Sequence, residues 1–147
     1  MGIEENKALI RRFYELYSQQ ELDACDEIYA DSCFSDNYTR EYNRQLDIQI
    51  FKTFPDAKVT ILDMVAEGDK VAYIRVISGT HTGEPFMGII PATGKKVETR
   101  AAGFATIADN KVVGGNMVSD PGLWQQLGVM PTWEEALQAY KEAHNIE

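Results

Sequence analysis

Chemistry at a protein site usually needs a thiol or hydroxyl nucleophile, a metal cluster, a phosphate cradle or a titratable acid. The first three find little material in this chain. Cys25 and Cys33 stand eight apart with no Cys-x-x-Cys pair, so neither a zinc ribbon nor a dithiol redox site can be built from them. Cys25 falls on the apolar side of a helical segment, as a small core residue does. His81 and His144 are too few for a three-histidine metal site, and no D-x-D-x-D loop gathers carboxylates around Mg²⁺ or Ca²⁺. Gly88-Ile89-Ile90-Pro91-Ala92-Thr93-Gly94-Lys95-Lys96 comes nearest to a phosphate loop. It has one residue too many between its glycines, a proline inside, and no Ser or Thr after the lysine. Whatever chemistry the chain performs is expected to come from its side chains alone, with no metal and no cofactor.

Several side chains could take part, each with a structural reading beside the functional one. Tyr14 and Tyr17 lie on the first helix, where their hydroxyls could orient a ligand or simply cap core rings. Arg75 alternates with Val71, Tyr73 and Ile77, which puts a charge on a largely apolar strand face; pairing with Asp63, of the same parity on the neighbouring strand, would neutralise it. Arg100 has the same ambiguity, and Asp36 reads as a solvated loop residue. His81, at a strand end, could donate to a substrate oxygen or hold a turn. Asp120 shares strand parity with Asn116 and Val118. The pair Asp120-Pro121 also reads as a helix cap followed by proline at the first helical position, ahead of a helical Leu123–Leu127.

The elements that must position these groups change period a third of the way along. Glu4 to Gln19 reads as a helix on Ile10, Phe13, Tyr14 and Tyr17, with Leu9 and Leu16 widening the stripe and Glu4 and Glu5 in the first turn. Leu22 to Ala30 is a second helix, with Leu22, Cys25, Ile28 and Tyr29 inward. Arg44 to Phe54 is a third, on Leu46, Ile50 and Phe54, ended by Pro55. From Lys58 the period is two. Strands are expected at Lys58–Ala66, Lys70–Thr80, Lys96–Ala108 and Lys111–Ser119, with turns at Glu67-Gly68-Asp69 and Asp109-Asn110 and a glycine-rich connection from Gly79 to Gly94. Thr132-Trp133-Glu134-Glu135 opens a last helix with a capping box, and its stripe of Trp133, Leu137 and Tyr140 is expected to pack on its own domain rather than on a partner. The result is an α+β chain with a four-stranded antiparallel meander. It divides into a domain over residues 1–130 and a helical extension over 131–147.

The chain has 147 residues and a mass of 16.5 kDa, the size of one domain, with 44% hydrophobic and 25% charged residues. Fourteen Lys and Arg against 23 Asp and Glu give a net charge of −9, and no basic cluster offsets it, which argues against nucleic acid as a partner. No apolar run reaches the roughly 18–20 residues needed to cross a bilayer. The segment Gly2-Ile3-Glu4-Glu5-Asn6 is acidic where a signal peptide is basic, so a cytoplasmic, non-membrane protein is expected.

An ordered series of segments resembles the SnoaL-like polyketide cyclase (ester cyclase) family of the ketosteroid-isomerase-like, cone-shaped superfamily. The series begins with Glu5-Asn6-Lys7-Ala8-Leu9-Ile10-Arg11-Arg12-Phe13-Tyr14-Glu15-Leu16, Glu21-Leu22-Asp23-Ala24 and Ile28-Tyr29-Ala30-Asp31. It continues with Phe54-Pro55-Asp56-Ala57-Lys58-Val59, then Val65-Ala66-Glu67-Gly68-Asp69-Lys70-Val71-Ala72 and Gly79-Thr80-His81-Thr82-Gly83-Glu84. Phe86-Met87-Gly88-Ile89, Pro91-Ala92-Thr93-Gly94-Lys95 and Leu123-Trp124-Gln125-Gln126-Leu127-Gly128 complete it. The resemblance implies a curved antiparallel sheet whose N-terminal helices close a conical pocket for a small apolar or aromatic ligand, and pairing of two copies through their sheets.

The resemblance also implies metal-free, cofactor-independent chemistry. A carboxylate on the last strand removes a proton next to a carbonyl, and the enolate closes a ring by aldol addition. Counting forward from Asn110-Lys111-Val112-Val113 puts the family's aspartate at Asp120; counting back from Gly122-Leu123 puts it at Ser119. With Asp120 as base, Tyr14, Tyr17, His81 and Asn116 are the implied substrate-binding groups. The chain departs from the family at Phe34-Ser35-Asp36-Asn37, where a histidine motif is common. It departs again at Gly103, where an acid is frequent, and at Gly114-Gly115-Asn116. Either these changes widen the cavity or catalytic groups have been lost, leaving a non-catalytic binding protein or a dimerising module.

Overall fold

The computed structural model describes residues 2–147, so Met1 lies outside the described residues. Helix α1 (Ile3–Ser18) buries Leu9, Ile10, Phe13 and Tyr17, and its opening is held by Glu5, whose carboxylate accepts from the Gly2 amide at 2.9 Å. Helix α2 (Leu22–Ile28) stops two residues before the expected end at Ala30. Tyr29 turns extended and bridges to Val112, and the Ala30 amide donates to the Val112 carbonyl at 2.8 Å, so a strand-like tie replaces the last half-turn. A 3₁₀ turn follows at Asp31–Cys33.

Helix α3 (Arg40–Thr53) begins four residues ahead of the expected Arg44. Thr39 is the reason: its hydroxyl accepts from the Tyr42 amide at 3.1 Å and caps the helix start. Its first turn is fastened to α2. Arg40 donates to the carbonyls of Asp26 (2.7 Å) and Tyr29 (3.2 Å) and to the Asp31 carboxylate (2.9 Å), with its guanidinium 4.5 Å over the Phe34 ring. Arg44 bridges Asp23 and Asp26.

Strands β1 (Lys58–Glu67), β2 (Lys70–Thr80), β3 (Lys96–Ala108) and β4 (Lys111–Ser119) form one antiparallel sheet in sequence order. Three match the expected bounds and β1 runs one residue further. The tight turns carry the positive φ they require, 57° at Gly68 and 49° and 59° at Asp109 and Asn110. Two irregularities bend the sheet, one between Ile61 and Asp63 and one between Thr106 and Ile107. The helices cover the concave face, where Val71, Tyr73, Val97, Ala105, Ile107 and Val112 meet α1 and α2 in one core. This is the expected α+β architecture, an open curved sheet closed by N-terminal helices.

A short helix α4 (Leu123–Gln126) leads to α5 (Trp133–His144). The capping box is present: Thr132 Oγ1 accepts from the Glu135 amide at 3.2 Å, and the Glu135 carboxylate accepts from the Thr132 amide at 2.8 Å. The expected packing of its stripe on the domain is not found, for Trp133, Leu137 and Tyr140 are 72%, 41% and 56% exposed and α5 buries no residue. The capping signal fixes where the helix begins, not what its face meets. No described helix is long and apolar enough to cross a membrane.

Candidate active site

Between α1, α3 and the concave face of the sheet lies a cavity of about 570 Å³. That volume lies within the ~300–1,000 Å³ usual for small-molecule sites. Tyrosines dominate its wall: Tyr14 and Tyr17 from α1, Tyr29 and Tyr38 from the segment between α2 and α3, and Tyr73 from β2. Two charged side chains enter it, Asp47 from α3 and Arg75 from β2.

Asp47 is there because α3 turns one face inward, with Asn43, Asp47, Ile50 and Phe51 at helical spacing over Tyr17. The Tyr17 hydroxyl donates to Asp47 Oδ1 at 3.2 Å, and Asn43 Nδ2 donates to Oδ2 at 3.4 Å. Asn43 is itself turned by Tyr38, whose hydroxyl donates to its Oδ1 at 2.7 Å. Burial pushes the Asp47 carboxyl up to about 6, against the Tyr17 hydrogen bond, which favours the ion; nearby Asp26 raises it further, while Arg44 and Arg75 lower it. The group is therefore mostly ionised at neutral pH and takes up a proton readily.

Tyr14 and Tyr73 share a hydrogen bond of 3.0 Å between their hydroxyls. In such a pair one hydroxyl donates to the other, and the acceptor's own O–H is left to point elsewhere. Burial raises Tyr14 and Tyr17 far above the ordinary phenol range, so both stay protonated donors. The Arg75 guanidinium lies 5.4 Å over the Tyr14 ring, and its Nε is buried with no protein partner. The expected pairing with Asp63 does not occur. The irregularity after Ile61 sets Asp63 opposite Ile74 on the outer face, where its carboxylate accepts from the Met64 amide at 2.8 Å.

The other sequence candidates sit elsewhere. Asn116 reaches the cavity edge, but its pairing with Phe104 puts it on the exposed side of β4 with Val118. His81 is fully buried away from the cavity, packed on Phe54 and Phe86. Its Nδ1 accepts from the Thr93 amide at 3.2 Å, so it anchors the connection between β2 and β3. Asp120 lies outside the cavity, and its carboxylate accepts from the Gly122 amide at 2.8 Å within a local turn. The expected cap is not formed, because α4 starts at Leu123, past Pro121, with Gly122 flanking it and no side-chain cap. Ser119 is exposed and does not line the cavity either.

Two of the departing glycines have a packing reason. A Cβ on Gly103 would overlap the Asn116 carbonyl and press Met117 Sδ at 2.7 Å, and one on Gly115 would overlap the Phe104 carbonyl. Close approach of β3 and β4 requires them, so an acid at position 103 has no room. Among the described residues no three His, Cys, Asp or Glu side chains come together as metal ligands.

Solved structures share this architecture. AclR of Streptomyces galilaeus, which carries a provisional hydroxylase name, superposes with a TM-score of 0.79 at 24% identity over 95% of both chains. TsrD of Streptomyces laurentii gives 0.76 at 24% identity, over 88% of this chain and 99% of its own. IdmH of Streptomyces antibioticus, provisionally a polyketide cyclase, gives 0.71 at 27% identity over 84% and 99%. No curated protein matches the sequence significantly. The profile of the SnoaL-like polyketide cyclases matches residues 7–127, which takes in every strand, α3 and all of α1 but its first four residues, and the chain belongs to that family.

Proposed function

We propose that the protein is an acid–base enzyme of the cyclase or isomerase type, acting without a cofactor on a small carbonyl compound with an aromatic or apolar body, and that Asp47 is its base. The observation that carries this reading is a carboxylate near neutrality, placed in a tyrosine-lined cavity beside protonated hydroxyl donors. A proton leaves the carbon next to the carbonyl for the Asp47 carboxylate, and the C–H electron pair moves onto the carbonyl oxygen as an enolate. The free O–H of the Tyr14–Tyr73 pair donates to that oxygen. The enolate carbon then attacks a second carbonyl of the same molecule, and Asp47 returns the proton to the new alkoxide. Nothing is oxidised or reduced.

The test is exchange of the α-protons of an aryl 1,3-diketone with D₂O, followed by proton NMR. The enzyme accelerates it, and Asp47→Asn lowers the rate by about 100-fold or more, in the range of general-base contributions. Equal rates for the two proteins contradict the assignment.

A binding protein that uses the same cavity is the second reading, favoured by one observation: neither Asp120, engaged with the Gly122 amide, nor Ser119 lines the cavity. It predicts diketone binding with no acceleration of exchange. Two copies paired through the outer sheet face, where Val65, Ile74, Phe104 and Val118 are exposed, fit either reading, and light scattering measures that mass.

A further inference from the structure

We infer that the ligand of this cavity is an acid, an aromatic or polycyclic body carrying a carboxylate that pairs with Arg75. The inference rests on the cavity being the functional site and adds the charge of what enters it.

Arg75 occupies the concave face of β2 between Tyr73 and Ile77, with Ala101 opposite it on β3. Among the described residues no carboxylate comes within 4.0 Å of its nitrogens, and its Nε–H is buried and donates to nothing. Arg75 is half-buried with its Nε fully covered, and a guanidinium set into a cavity wall is normally matched by an anion that takes up its covered donors. The anion nearest by strand parity, Asp63, faces the other side of the sheet. The one carboxylate in the cavity, Asp47, takes its hydrogen bonds from Tyr17 and Asn43 and makes no ion pair with Arg75.

The rest of the cavity suits such a ligand. The Tyr14 ring lies beneath the guanidinium, which leaves the planar donor fork to meet two carboxylate oxygens together. Aromatic walls from Tyr14, Tyr29 and Tyr73 would stack an aromatic body. In a protein of net charge −9, one free cation in a cavity selects a single anionic group rather than attracting polyanions.

Anthracene-2-carboxylate and its methyl ester, titrated at neutral pH and followed by their fluorescence, test the inference. The acid is expected to bind the wild-type protein at least tenfold more tightly than the ester, with the preference abolished in Arg75→Gln and largely kept in Arg75→Lys. Ester binding as tight as acid binding, a preference that survives Arg75→Gln, or no saturable binding of the acid would each overturn it. The wild-type comparison stands even if Arg75→Gln does not fold. Because no turnover is read, a protein that prefers the acid but leaves diketone exchange unaccelerated would remove the enzymatic reading and keep the anion site.

Discussion

The phenol of Tyr17 donates to Oδ1 of Asp47 at 3.2 Å, tying the inner face of α1 to the inner face of α3 across the top of the cavity. The contact joins the two helices and holds a carboxylate among rings. Burial outweighs the hydrogen bond, so the proton affinity of Asp47 rises rather than falls.

A stability signature follows from that rise. The folded protein holds the Asp47 proton up to about pH 6, whereas an unfolded Asp releases it near its ordinary 3.8. Folding therefore favours the protonated form, and the contribution is present below the unfolded value and lost as pH climbs to about 6. One pKa unit corresponds to about 1.36 kcal/mol, and partial solvent access reduces the effect, giving a loss on the order of 1–3 kcal/mol. Asp47→Asn carries no such loss. Thermal unfolding at about pH 4 and about pH 7.5 is expected to show the variant gaining stability relative to wild type at the higher pH. A difference independent of pH contradicts the buried carboxyl.

Alkaline titration separates the tyrosines. The chain has seven, and burial holds Tyr14, Tyr17 and Tyr29 far above the usual phenol range. Ultraviolet difference spectra of the folded protein are expected to show fewer than seven phenolates, with the missing ones appearing only on unfolding. Ionisation of all seven in one reversible step would contradict the cavity wall described here.

Asp120→Ala is expected to leave diketone exchange unchanged and to cost about 0.5–1 kcal/mol, the net worth of one hydrogen bond in an exposed turn. Loss of exchange with the fold intact would return the base to Asp120.

What the sequence discloses and hides can be followed residue by residue. The turns at Gly68 and Asp109-Asn110, the four strands, and Tyr14 and Tyr17 in the cavity wall are all legible, because turn chemistry and helical period are local properties. Asp47 is not, because reading α3 from Arg44 aligns its stripe on Leu46, which is 41% exposed. Starting α3 at Arg40 adds Asn43 to the helix, and Asn43, Asp47 and Phe51 then follow one another at i+4 steps; a carboxylate spaced four residues from Phe51 is the signal that marks this face. Arg75 and Asp63 appear paired by parity until one residue of β1 leaves the register, a tertiary event with no local mark. The Asp120 carboxylate reads as base or cap from sequence alone; in the fold it lies outside the cavity and holds the turn at Gly122 ahead of α4.

Two surface and packing predictions follow from the same geometry. Truncation after Pro131 removes a helix that buries no side chain, so the unfolding free energy of the remaining domain is expected to change by no more than the ~0.5 kcal/mol typical of surface changes. Gly103→Asp, which would restore the acid frequent in the family, is expected to destabilise by about 2 kcal/mol or more, because its Cβ overlaps the Asn116 carbonyl. Denaturant unfolding measures both.

The most direct measurement is the side-chain carboxyl ¹³C shift of Asp47, followed by NMR through a pH titration of the folded protein and assigned with Asp47→Asn. A midpoint near 6 is the predicted result. A midpoint at the ordinary aspartate value of 3.8 would mean a solvated carboxylate with no raised proton affinity, and the site built around it would fall.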